Sequence, residues 1–237
     1  MKLLYRCLLL IVMMTGLSLH ACAFAVVLPL YSAESIEAWV VDEDTGQPLE
    51  GVIVAAHWEL IGPFESYPVG QMMVMETVTD ANGHLFFPAW GPKPRPLEGH
   101  LDNADPRLLL FKSGYKALWL ENEVREKSSH SAVRRSVWNG QTIKLEKFEG
   151  SLEQYAQHLG TLDNIWLNFA FFHHDCSWKY IPHMLVAMHR EKMRFKEKGL
   201  RDSSYYPHTI QQRDEEMSPT EAAKCGSMQE FLRSYLP

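Results

Sequence analysis

The segment Phe171-Phe172-His173-His174-Asp175-Cys176-Ser177-Trp178 places imidazole, carboxylate and thiol groups in consecutive positions. All three are transition-metal ligands, and a thiolate beside an imidazole is also a nucleophile. That chemistry defines one reading of the chain: a small periplasmic hydrolase or metal-binding protein using His173, His174 and Asp175, with His183 or His208. Several features weigh against it. Adjacent residues rarely point at one ion, and the 11 histidines contain no pair at i, i+4 and no H-x-x-E start. His183 and His189 fall on different sides of a helix. No G-x-S-x-G elbow, Walker loop or G-x-G-x-x-G run is present. The expectation is a chain without catalytic residues, cofactor or metal, in which residues 173–176 form a structural junction.

Cys176 has a competing use. Of the 4 cysteines, Cys7 lies inside an N-terminal leader and Cys22 at its end. Cys176 and Cys225 remain as the pair in the body of the mature chain. In an oxidising compartment two such cysteines usually join, and a disulfide removes the thiolate. Two buried free thiols are the alternative.

The leader is MKLLYRCLLLIVMMTGLSLHACAFA. Lys2 and Arg6 precede an apolar run, and small residues follow it, which is the layout of a secretory signal peptide. The run is short for a membrane-spanning helix. Leu19-His20-Ala21-Cys22 resembles a bacterial lipobox, although His20 stands where a small residue is usual. Cleavage there makes residues 1–21 the signal and lipidates Cys22. Cleavage after Ala23 or Ala25 instead releases a soluble periplasmic or secreted protein. Removing residues 1–21 takes away Lys2 and Arg6 and no acid, so the formal charge of −6 becomes −8. An acidic chain does not bind nucleic acid by bulk electrostatics. Membrane attachment would therefore rest on acyl chains at Cys22.

The elements that must carry these residues divide the mature chain in two. After a linker at 22–33, residues 34–147 read as short β-branched and aromatic runs between turns. Strands are expected at 36–41, 51–58, 72–78, 85–87, 108–111, 115–120 and 142–145. The 51–58 run is apolar on both faces, as a central strand would be. Asp80-Ala81-Asn82-Gly83 signals a hairpin.

The order Val41-Asp42, Thr45-Gly46-Gln47-Pro48-Leu49-Glu50-Gly51-Val52, then Thr79-Asp80-Ala81-Asn82-Gly83-His84-Leu85-Phe86, then Lys112-Ser113-Gly114-Tyr115 resembles the carboxypeptidase regulatory-like domain. The resemblance covers about half of the chain. It implies a seven-stranded transthyretin-like β-sandwich and a structural or binding role, not an activity. Three departures stand out. Ala38 and Trp39 replace an early glycine, and two connections, 60–71 and the proline-rich 88–106, are long. A third polar segment, 121–140, carries Arg134, Arg135 and Trp138. The Tyr-Arg-Gly-Ser tail of the transthyretin-like hydrolases is missing.

Residues 148–237 read as helical. Ser151-Leu152-Glu153-Gln154 fits a capping box, and Thr161 can cap a second helix. Pro182 opens a longer helix with Ile181, Leu185, Met188 and Phe195 on one stripe and Arg190, Glu191, Lys196 and Glu197 on another. Gly199 closes it. Ser218-Pro219-Thr220-Glu221 starts a helix to about Leu232.

The sequence thus predicts an α+β protein exported to the cell envelope, lipid-anchored and non-catalytic. It would bind or scaffold an envelope protein or a glycan. Trp58, Trp119 and Trp166 lie in apolar runs and are expected in the core. Trp90 and Trp138 lie in polar loops and are the candidate binding aromatics.

Overall fold

A computed structural model describes residues 30–62, 67–102, 104–122, 133–160, 175–200 and 210–236. The class is mixed α and β. In chain order the first strands are β1 (Leu30–Ala33), β2 (Ile36–Asp42), β3 (Ile53–Ile61), β4 (Pro68–Val78) and β5 (His84–Phe87). They are followed by β6 (Trp90–Pro94), β7 (His100–Leu101), β8 (Arg107–Phe111), β9 (Leu118–Leu120), β10 (Val133–Arg134) and β11 (Thr142–Leu145).

Hydrophobic alternation explains the arrangement. Along β2, buried Ile36, Ala38 and Val40 alternate with exposed Glu37 and half-buried Trp39 and Val41, the period of a strand with one face in a core. β5 and β11 alternate in phase with it. These three make one sheet in the order β11-β2-β5, with β11 parallel and β5 antiparallel to β2. β3 is apolar on both sides and is buried on both. Val54, Ala56, Trp58 and Leu60 join Ala38, Val40, Leu85 and Ile143 in one core. Ala55 and the β8 residues Leu109 and Phe111 face the opposite way, into a second core under the helices. β3 and β8 are the inner strands of the antiparallel sheet β4-β3-β8-β9.

The strands beyond the expected seven, β1, β6, β7 and β10, are short. β1 lies in the stretch read as a linker, and it is flanked by β10 and β6 in a third sheet. β6 contains Pro92 and Pro94, which lack a ladder donor, and it pairs on one side only.

Helix starts follow their caps. Ser151 Oγ accepts from Gln154 N at 3.3 Å while Gln154 Oε1 accepts from Ser151 N at 2.8 Å, and residues 152–160 (α1) are helical. α2 (Pro182–Glu197) has Pro at its first turn and buries Leu185, Met188 and Phe195. Glu191, expected on its charged stripe, is buried instead. α3 (Ile210–Glu216) carries no strong start signal in the sequence. The last expected helix is broken. α4 (Pro219–Cys225), capped by Ser218, stops at Gly226 (φ 76°), and α5 (Met228–Leu232) restarts on Ser227. No helix of the described residues is long and apolar enough to cross a membrane. The leader, Cys22, the Thr161 helix and Trp166 lie outside the described residues.

Candidate functional site

Of the chemically suggestive segment, residues 175–178 lie among those the structure describes. Asp175 accepts from Gln71 Nε2 at 3.0 Å and from Ser177 N at 3.0 Å. Cys176 is paired with Cys225, with Cα atoms 5.4 Å apart. His183 belongs to a different contact. Its backbone N and ring Nδ1 lie 2.9 and 2.8 Å from Glu76 Oε2, and Met184 N donates to Glu76 Oε1 at 2.7 Å. Glu76 of β4 thus caps α2 with a buried carboxylate. Burial pushes that carboxyl up from its ordinary value, against the pull of the helix N–H groups and the imidazole. Gln71 and Glu76 are five residues apart on β4, about 17 Å along a strand, so Asp175 and His183 are not brought together. His173, His174 and His208 lie outside the described residues. Among the described residues no three His, Cys, Asp or Glu side chains form a group that could hold a metal ion.

The motif residues of the first half hold backbone turns. Asp42 Oδ1 accepts from Thr45 N and Thr45 Oγ1, both at 2.8 Å. Its Oδ2 accepts from Tyr115 Oη at 2.9 Å and meets Lys147 Nζ at 3.0 Å. These donors, the Thr45 amide foremost, hold the Asp42 carboxyl well below the usual range. Thr79 Oγ1 donates to Leu49 O at 2.6 Å and accepts from Val52 N at 2.8 Å. Asp80 Oδ1 accepts from Asn82 N and His84 N across the hairpin.

What remains open is the outer face of the β11-β2-β5 sheet. Strand alternation lines up Glu37 and Trp39 on β2 with His84 and Phe86 on β5 and Thr142 and Lys144 on β11. Trp39 stands between its register partners His84 and Thr142, and Glu37 stands opposite Phe86. Phe86 is 48% exposed. The Trp39 and His84 rings are 5.5 Å apart and tilted, and His84 Nε2 is 2.8 Å from Glu37 Oε1. The turn before β11 braces this edge: Asn139 Oδ1 accepts from Glu37 N at 2.9 Å. Such a surface offers aromatic planes ringed by a carboxylate, an imidazole, a hydroxyl and an ammonium. It can stack and hydrogen-bond a ligand.

The aromatics expected to bind lie elsewhere. Trp90 is 6% exposed and packs edge-on against Trp58 at 5.6 Å, so it is a core residue whose polar neighbours in sequence misplace it. Trp138 is half-buried, with its Nε1 3.4 Å from Glu121 O. Trp39 and Phe86 were legible in principle, because period-2 alternation from Ile36 and from Leu85 turns both outward.

No protein-family model matches the chain, and no curated protein matches it. Solved structures similar to it include the 3-chlorocatechol 1,2-dioxygenase of Rhodococcus opacus 1CP, 16% identical with a TM-score of 0.32 over 50% of this chain and 61% of that one. Another is a 9R-lipoxygenase from Cyanothece PCC8801, 12% identical with a TM-score of 0.27 over 73% of this chain and 29% of that one. The chain therefore spans less than two thirds of the length of either, and likenesses this weak carry no conclusion about activity.

Proposed function

We propose that this protein is an exported, non-catalytic binding module of the cell envelope, anchored through Cys22 or released as a soluble protein. Its first half would be a transthyretin-like β-sandwich of the carboxypeptidase regulatory-like type. The turn contacts of Asp42, Thr79, Asp80 and Tyr115 support that reading, because they give the motif residues a structural reason to occur together. The Cys176–Cys225 pair supports an oxidising compartment.

The observation that carries the binding role is the open face bearing Trp39 and Phe86. Its ligand on this reading is an envelope glycan. Sugar rings present C–H faces to aromatic planes and hydroxyls to Glu37, His84, Thr142 and Lys144. A stable protein interface would call for a larger contiguous apolar patch than Trp39, Val41 and Phe86 provide.

The test is retention of the mature chain on purified cell-wall sacculi and insoluble polysaccharides. Trp39→Ala and Phe86→Ala should each weaken retention about tenfold, with melting curves verifying that both variants are folded at the assay temperature. Equal retention of the variants, or no retention of the wild type on any polysaccharide, would overturn the reading. The intact mass of the protein from its native host separates a diacylglyceryl Cys22 from a soluble start near Phe24 or Val26.

A further inference from the structure

A second concavity lies away from that face. Ile53 and Phe111 are register partners where β3 begins and β8 ends, and both pack on the helical side of the sheet. Ala187, Arg190 and Glu191 stand at i, i+3 and i+4 on α2, hence on one side of the helix, and face the Ile53–Phe111 pair. The Lys112-Ser113 turn after β8 and Gly51 before β3 supply the opposite wall. Two motifs distant in sequence, Glu50-Gly51-Val52 and Lys112-Ser113-Gly114-Tyr115, therefore meet at one cleft. Its volume is about 230 Å³, the share of roughly eight liquid waters.

The chemistry of this cleft is lopsided. Ile53, Phe111 and Ala187 make an apolar floor. Its one acid, Glu191, is already engaged: Ser113 Oγ donates to it and Arg194 Nη2 lies 2.5 Å from Oε2. The two cations at the rim are bound only to backbone carbonyls. Lys112 Nζ donates to Glu50 O at 2.6 Å, and Arg190 Nη2 donates to Tyr235 O at 3.3 Å. Neither has a carboxylate partner among the described residues. An ammonium carries three donors and a guanidinium five, so both keep donors for an anion. A floor that rejects water beside two underused cations selects one kind of molecule.

We propose that this cleft binds a small organic anion, a carboxylate or phosphate on a compact apolar group. The anionic head sits between Lys112 and Arg190 and the apolar part lies on Ile53 and Phe111. This site is independent of the glycan-binding face.

Benzoate and phenyl phosphate, with benzyl alcohol as the uncharged control, test it by amide chemical-shift titration of the mature, disulfide-intact chain. Saturable shifts are expected at Gly51, Ser113, Gly114 and the Ala187–Glu191 turn for the two anions and not for the alcohol. The tighter anion identifies the preferred headgroup. Lys112→Ala and Arg190→Ala should each weaken it about tenfold, as the loss of one charge-assisted contact does. Ala187→Glu keeps both cations, places a tethered carboxylate in the cleft and should abolish binding. Melting curves verify that each variant is folded. Benzyl alcohol binding as tightly as benzoate, unchanged affinity in the Lys112→Ala/Arg190→Ala double variant, or no saturable shift around the cleft would each overturn the proposal.

Discussion

Tyr115 Oη donates a 2.9 Å hydrogen bond to Asp42 Oδ2, joining residues 73 apart in the chain. The same carboxylate closes the Thr45-Gly46 turn and meets Lys147, so one buried acid ties the end of β2 to the turns before β9 and after β11. This contact gives a physical reason for an aspartate at the end of β2 and a tyrosine after Ser113-Gly114 in one sequence.

The clasp has a signed pH dependence. Its donors hold Asp42 below its ordinary value of 3.8, so the folded state binds the proton less readily than the unfolded chain. The stability it contributes is present above that value and is lost as pH falls towards the folded-state one. Asp42→Asn should be less stable than wild type at neutral pH, and the gap should narrow as the pH drops below 3.8. Urea midpoints of both proteins between neutrality and pH 3 would show it; a constant gap would mean the carboxylate charge contributes nothing.

Gly83 and Gly46 both adopt left-handed φ, at 71° and 68°, yet they should respond differently to substitution. A Cβ on Gly83 would lie 2.3 Å from Val40 O, a backbone atom in the centre of its sheet, whereas a Cβ on Gly46 meets nothing within 4 Å. Gly46→Ala should cost about 1 kcal/mol, the conformational penalty alone. Gly83→Ala adds a clash that only backbone movement can relieve, and should cost about 3 kcal/mol. Equal losses in chemical denaturation would show that the hairpin yields easily at Asp80–Gly83.

Local pattern made much of this legible in the sequence. Alternation around Ala38 and Val40, the reciprocal Ser151–Gln154 cap and the Ser218-Pro219 start each depend on residues close together, and each element is present. The misplacements share a cause. Trp90 sits among glycine and prolines, but its burial is decided by Trp58 on another strand. Glu191 fits a solvated helix face by periodicity, but Ser113 and Arg194 enclose it. The cleft beside it was unreadable for the same reason, because its walls come from segments brought together only by the β3–β8 pairing. The outer sheet face differs: the period-2 alternation that turns Trp39 outward is local to β2 and legible in the sequence.

Long-range assembly also governs Arg107. It donates to Glu59 on β3 and to Asp102 on the preceding loop. Asp105 is fully buried next to them, with Oδ2 accepting from Glu59 N at 2.7 Å. Burial pushes the Asp105 carboxyl well above its ordinary 3.8, with Arg107 opposing. A raised folded-state value means the stability from this group is present below 3.8 and lost as pH rises through the folded value. Asp105→Asn, which keeps an acceptor for Glu59 N, should therefore gain on wild type as pH rises from 4 to 8. Arg107→Ala should cost about 3 kcal/mol, because it leaves Glu59 and Asp102 facing each other uncompensated. Parallel melts at both pH values decide it; an Asp105→Asn curve parallel to wild type would show the acid stays ionised throughout.

The Cys176–Cys225 bond closes a loop of 49 residues, which in the chain-entropy description stabilises the fold by about 4 kcal/mol. It fastens α4 to the 3₁₀ turn Ser177–Tyr180, whose Trp178 is fully buried and packs edge-on against Phe231 of α5. Reduction, or Cys176→Ser with Cys225→Ser, should lower stability by most of that amount and loosen the helical end first. β3 and β8 would be spared at that stage, because their core with the β11-β2-β5 sheet contains neither cysteine. Hydrogen exchange reads this directly. Amides of residues 219–232 should lose protection on reduction while those of Val54 and Leu110 keep it. Uniform loss across both regions would mean that the two cores unfold as one cooperative unit and that the disulfide supports the whole of it.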